Sequence, residues 1–197
     1  TWSKNMEATN FLNSSDPLPG EVISAQDRTH RVTMSGIYEL PFGRGRRFLP
    51  NTPRALGAVV DGWQLSGAYQ FQIGEPIGLG DFIFYGDARK IALPRGERNR
   101  SHWFNTNGFE TNSAKQRASA IRFIPSRFSG LRAAPINVLD LSAIKKARIT
   151  ERFSFELRAE ALAALNHQIF DAPNTSVTAG TFGTVTAMKS FSNRRIQ

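Results

Sequence analysis

Glu156 and Glu160, with Arg158 between them, are the nearest this sequence comes to a pair of cooperating carboxylates. General acid–base work needs two carboxyls held in different environments, one protonated and one ionised, and nothing around this charged run predicts such a cleft. His30, His102 and His167 lie far apart along the chain and no cysteine accompanies them. A thiolate zinc site, a thiol nucleophile and a disulfide scaffold are therefore all excluded. Gly43-Arg44-Gly45-Arg46-Arg47 is rich in glycine and arginine, yet it lacks the Lys-Ser/Thr pair and the following helix pattern of a phosphate loop, and reads as a basic turn. The expectation is a protein that is not an enzyme and holds neither metal nor cofactor.

The elements that would position these residues follow from composition and period. Twenty-five Lys and Arg against sixteen Asp and Glu give a formal charge of +9 in 197 residues, with 40% hydrophobic and 11% aromatic residues. Such a chain folds rather than staying disordered. No run approaches the roughly 18 apolar residues of a membrane-spanning helix. Thr1 to Thr9 shows neither the basic nor the apolar region of a secretory signal, which reads as a mature or internal segment.

Four segments alternate strictly, the mark of strands whose two faces meet different surroundings. In 31–42 the even positions carry Val32, Met34, Tyr38, Leu40 and Phe42, and the odd ones Arg31, Thr33 and Glu39, with Ile37 the exception. In 63–73 the apolar set is Trp63, Leu65, Tyr69 and Phe71 against Gln64, Gln70 and Gln72. In 139–149, Leu139 and Leu141 oppose Asp140 and Arg148, and Lys145 is a misfit on the apolar side, to be explained by its amine reaching a polar rim or by a bulge. In 153–165, Phe153, Phe155 and Leu157 oppose Glu156, Arg158 and Glu160; the second half also suits a helix by propensity, but the period of two favours a strand. Arg194 to Gln197 reads as the opening of a fifth strand, and Trp2 to Asn5 as the end of an earlier one.

Strands this long, with an aromatic apolar face and a charged or amide-bearing polar face, match a membrane barrel better than a soluble sandwich, whose strands and connections are usually short. The fold class expected is all-β: antiparallel strands of a large transmembrane β-barrel, incomplete in this chain. Lipid then meets the apolar set and a wet lumen meets the polar set. Four or five strands cannot close, because open edges in lipid leave backbone groups unpaired, so further strands are required.

The residues also resemble a family. Asp27-Arg28 through His30-Arg31, SGIYELPFGRGRRF (35–48), DGWQLSGAYQFQIGEP (61–76), PSRFSGLR (125–132), LDLSAIKKARITERFSFELRAEALAALNHQIF (139–170) and FGTVTA (182–187) together resemble the C-terminal barrel region of TonB-dependent outer-membrane receptors, in particular the Oar-like group. The resemblance implies a barrel of about 22 strands plugged by an N-terminal domain absent here. It also implies partners: outer-membrane lipid and lipopolysaccharide, the rest of the barrel and plug, the TonB complex, and a large transported ligand such as a siderophore or oligosaccharide, with no nucleic acid.

Short turns are periplasmic and long loops extracellular in such barrels. Thr150 to Arg152 then forms a periplasmic turn, 43–62 lies in the periplasm, and 1–30, 74–138 and 166–193 lie outside. The 74–138 loop carries ten basic and five acidic residues, and Trp103, Phe104, Arg122 and Arg127 are its candidate ligand contacts, by stacking and by anion pairing. Two other classes stay open. A basic β-rich domain binding nucleic acid or another polyanion is suggested by net charge. A secreted carbohydrate-binding sandwich would need the apolar faces pressed against each other.

Overall fold

The computed structural model describes residues 1–116, 121–148 and 152–197. A two-residue ladder opens the chain: β1 (Met6–Glu7) pairs antiparallel with β2 (Val22–Ile23). The main sheet follows, formed by β3 (Arg31–Glu39), β4 (Trp63–Gln72), β5 (Ile136–Arg148), β6 (Ser154–Leu162) and β7 (Arg195–Ile196). Its spatial order equals its chain order, with β3 and β7 at open edges. Among the described residues no helix is long and apolar enough to cross a membrane, and the one α-helix, α1 (Arg54–Val60), lies between β3 and β4.

Alternation overrides helix propensity in β6. Its Ala, Leu, Glu and Arg favour a helix, but a helix would turn Arg158 to the side opposite Glu156 and Glu160, whereas a strand collects all three on one face. Eight residue pairs with β5 fix that arrangement, from Arg148 opposite Ser154 to Leu141 opposite Ala161. The strand stops at Leu162, short of the expected 165, because Ala163 and Asn166 turn into the left-handed region (φ 48° and 50°) and Asp140 accepts the Ala163 N–H at 2.8 Å. At its other end β3 stops at Glu39 rather than 42, ahead of a tight turn built on Gly43 (φ 109°) and Gly45 (φ 71°). β5 begins three residues before 139, so the long connection runs 73–135. Ile149, Thr150 and Glu151, and with them most of the expected hairpin turn, lie outside the described residues.

Two compact units divide the chain. One combines Val32–Phe71, Asn137–His167 and Ser190–Gln197, and holds nearly all of the main sheet. The other combines Thr1–Arg31, Gln72–Ile136 and Gln168–Lys189 around a core of its own. Ile77, Leu79, Ile91, Trp103, Phe104, Phe109 and Leu131 are buried there. The rings of Phe104 and Phe182 meet edge-on at 5.3 Å, and those of Phe84 and Phe109 lie 4.7 Å apart, the tilted geometry that aromatic quadrupoles favour. Trp2 does not enter the main sheet as a named strand; it bridges His30 antiparallel, while the Arg31 N–H donates to the Thr1 carbonyl at 3.1 Å.

Candidate functional site

Strand register decides whether four separate alternations add up to anything. The Leu40 N–H donates to the Trp63 carbonyl at 2.9 Å, setting even residues of β3 opposite odd residues of β4. The Lys146 N–H donates to Gly62 at 3.0 Å, which brings odd residues of β4 opposite odd residues of β5. β6 continues the match, with Lys145 opposite Leu157 and Ala147 opposite Phe155. Directly opposed residues share a face. The apolar sets therefore fuse into one surface, and the polar sets into the other.

On the apolar surface Val32, Met34, Tyr38, Phe42, Leu65, Leu141, Phe153, Phe155 and Leu157 are exposed, and Leu40, Trp63, Tyr69, Phe71 and Leu139 are half-buried. Contiguous exposed apolar area of this extent marks a surface that meets something other than water. Lys145 sits within it and is buried. Its register is unbroken, so no bulge explains it; instead its amine reaches along its own stem to donate to the Asp61 carbonyl and lies 5.6 Å over the Trp63 ring.

Across the sheet the charges mostly answer one another. Arg158 joins Glu156 at 3.2 Å and Glu160 at 3.5 Å, Lys146 reaches Glu156 at 4.0 Å, and the Gln197 amide donates to Glu160 at 2.9 Å. Glu39 pairs with Arg46 at 3.1 Å. Asp140 is occupied as a cap on the Ala163 backbone. Arg31 and Thr33 are exposed and Gln64, Gln70 and Gln72 half-buried, while of Arg148 the structure gives its register opposite Ser154. Two depressions of about 560 and 240 Å3 lie on this side, the first lined by Ser35, Ser66, Ser142 and Glu160, the second by Thr33 and Gln70.

The loop unit corrects the expected ligand contacts. Trp103 and Phe104 are core residues, 7% and 0% exposed, and the Trp103 indole donates to the Arg132 carbonyl at 2.9 Å. No ligand can stack on them while this core holds. Arg127 pairs with Glu7. Arg122 pairs with Asp81 at 2.8 Å and donates to the Leu79 and Gly80 carbonyls. It lines a cavity of about 1030 Å3 with Asn13, Ser14, Ser15, Phe82 and the stretch Asn174–Thr178. Among the described lining residues the charges of Arg122 and Asp81 cancel, and the rest of the polar lining is neutral amide and hydroxyl.

A buried ion pair that sequence reading missed ties this unit together. Asp27, fully buried, accepts from Arg132 at 2.6 Å, the Asn5 N–H at 2.7 Å and the Thr29 hydroxyl at 2.8 Å. Arg132 also donates to the Gly74 and Ser129 carbonyls, both at 3.0 Å. Burial alone raises the Asp27 carboxyl; the Asn5 N–H, the Arg132 guanidinium and the Thr29 hydroxyl outweigh it and hold the group below its ordinary 3.8. Asp27 and Arg132 stand 105 residues apart, so no local pattern signals the pairing. Among the described residues no cluster of His, Asp or Glu is arranged to hold a metal.

An antiparallel sheet open at both edges, oily on one face and hydrophilic on the other, has the form of a stretch of β-barrel wall. The chain belongs to the outer membrane beta barrel domain family, whose family model matches residues 1–197, and its place is the outer membrane. No curated protein and no solved structure matches it.

Proposed function

We propose that this chain is the barrel part of a TonB-dependent receptor that takes up a large ligand across the outer membrane, powered through TonB by the inner-membrane proton gradient. The observation that carries the reading is the shared register, which gathers the lipid-suited residues of four strands on one side and Glu156, Arg158, Glu160 and the glutamines on the other. The polar side faces a lumen that a plug domain fills, and its charges serve the wall rather than catalysis. The open edges of β3 and β7 require further strands, because unpaired backbone groups in hydrocarbon cost several kcal/mol each. Sidedness follows from connection length: the five residues joining β5 to β6 are periplasmic, and the 73–135 connection is extracellular.

The carbohydrate-sandwich reading loses its support, since the apolar side of the sheet is exposed rather than pressed onto a second sheet. The polyanion reading is weakened by the self-paired charges of the polar face. The full-length protein is expected to fractionate with the outer membrane and to migrate differently in gels before and after heating. Cells expressing it should accumulate one member of a labelled panel of ferric siderophores, oligosaccharides and peptides. Uptake that persists unchanged after TonB is deleted and a protonophore added refutes energy coupling, and recovery as a detergent-free soluble monomer refutes the barrel.

A further inference from the structure

The connection between β3 and β4, residues 40–62, spans 23 residues, long for the side of the barrel on which turns are short. We infer that it is a membrane-surface anchor, lying on the phospholipid leaflet of the outer membrane; the inference rests on the lipid-facing reading of the sheet and on its sidedness. α1 is an unusual helix for water. From Ala55 to Val60 it has no polar side chain, and Leu56 and Val59, three apart on one stripe, are 55% and 64% exposed. Ahead of it Leu49, 52% exposed, is held in the left-handed region at φ 59°, with the Thr52 hydroxyl bonded to its carbonyl. An L-residue adopts that conformation at a cost, and here the cost keeps an oily side chain outside.

The segment is continuous with the apolar face of the sheet at both of its ends. Phe48 packs its ring 5.6 Å from Phe42, which has the apolar parity of β3. The Trp63 indole, on the apolar parity of β4, donates to the Val59 carbonyl at 2.8 Å. Trp63 is placed as an interfacial residue is, with one edge oily and one polar, and the Lys145 amine above it marks the level at which charge is tolerated.

Charge selects the partner. The connection holds Arg44, Arg46, Arg47 and Arg54 against Asp61, which accepts the Arg44 N–H at 3.3 Å; even with Arg46 paired to Glu39 of β3, the segment keeps a net positive charge. Oily side chains beside a cationic cluster suit an anionic headgroup layer, the arrangement of helices that lie in the membrane interface. The Lys146 to Gly62 bond puts this connection at the β5–β6 turn end of the sheet, the periplasmic end, where the leaflet is phospholipid and not lipopolysaccharide.

The absence of cysteine in this chain makes the test direct. Full-length receptor, with any cysteine outside this chain replaced, carries Leu56→Cys, Val59→Cys, Leu65→Cys or Ser113→Cys labelled with bimane, in vesicles of phosphatidylethanolamine and phosphatidylglycerol. Labels at 56 and 59 should emit to the blue of the label at 113, be quenched by lipids brominated near the headgroup and resist aqueous iodide. Iodide quenching at 56 and 59 with lipid quenching retained at 65 overturns the inference alone. Iodide quenching at 65 as well overturns the lipid-face reading beneath it. In intact cells Arg47→Cys should react with a membrane-impermeant maleimide only after the outer membrane is permeabilised; reaction before that step places the segment on the lipopolysaccharide side and refutes the assignment.

Discussion

Replacing Asp27 by alanine should unfasten the loop unit while leaving the sheet in place. The carboxylate is fully buried and Arg132 nearly so, with 8% of its side chain exposed. Removal strands a guanidinium whose remaining acceptors are the Gly74 and Ser129 carbonyls and the Thr29 hydroxyl, and it leaves the Asn5 N–H without its acceptor. Breaking one side of a buried pair costs about 3–5 kcal/mol, more than exchanging the pair for apolar residues, because the surviving charge stays desolvated. Asp27→Asn keeps the shape and one acceptor oxygen and should lose less, about 1.5–3 kcal/mol. The assay is amide exchange in full-length protein held in detergent or bilayer, read at Asn5 and Trp103. A loss of about 3 kcal/mol is more than a hundredfold in protection where exchange reports opening equilibria. The Trp103 amide is bonded to Gly183 at 3.0 Å and should lose protection together with Asn5, whereas Leu40 and Lys146 in the sheet should keep theirs. Unchanged protection at Asn5 and Trp103 in the alanine variant refutes the claim that this pair fastens the unit.

Acid makes the same point without mutation. A carboxyl whose folded pKa lies below its unfolded one contributes stability above the unfolded value and loses it as pH falls through the folded value, so Asn5 protection should decline below about pH 3.8 in the wild type and not in Asp27→Asn. On the sheet, Leu141→Arg should lower the yield of heat-modifiable outer-membrane protein, at about 2–4 kcal/mol near the bilayer midplane, and Leu65→Arg, two residues from the interfacial Trp63, by less, while Ser66→Arg on the polar side is tolerated; equal yields in all three count against the face assignment. Gly74→Ala should be severe, since a Cβ there would stand 1.9 Å from the Ala133 carbonyl oxygen, and scrambled extracellular protease sensitivity is the expected readout. Glu156→Gln should change stability by less than about 1 kcal/mol in a denaturant titration, because its pairs are half-exposed.

The alternation of oily and polar residues was legible without coordinates, because a strand's period of two writes its two environments directly into the order of its side chains. Lys145 was legible as an anomaly and even as an escape along its own stem, but not its destination, since the Asp61 carbonyl and the Trp63 ring are 84 and 82 residues away. α1 was not foreseen: its few apolar residues sit between prolines and glycines, and a helix of under two turns has too little sequence to show a period. Trp103 and Phe104 carry the same letters whether they line a binding surface or fill a core, and only folding the 72–136 segment against 1–31 and 168–189 decides between them. What the chain order determined alone is which residues suit oil and which suit water; register, set by backbone bonds between distant strands, decided that they fall on two continuous faces, and long-range closure decided that Asp27 meets Arg132.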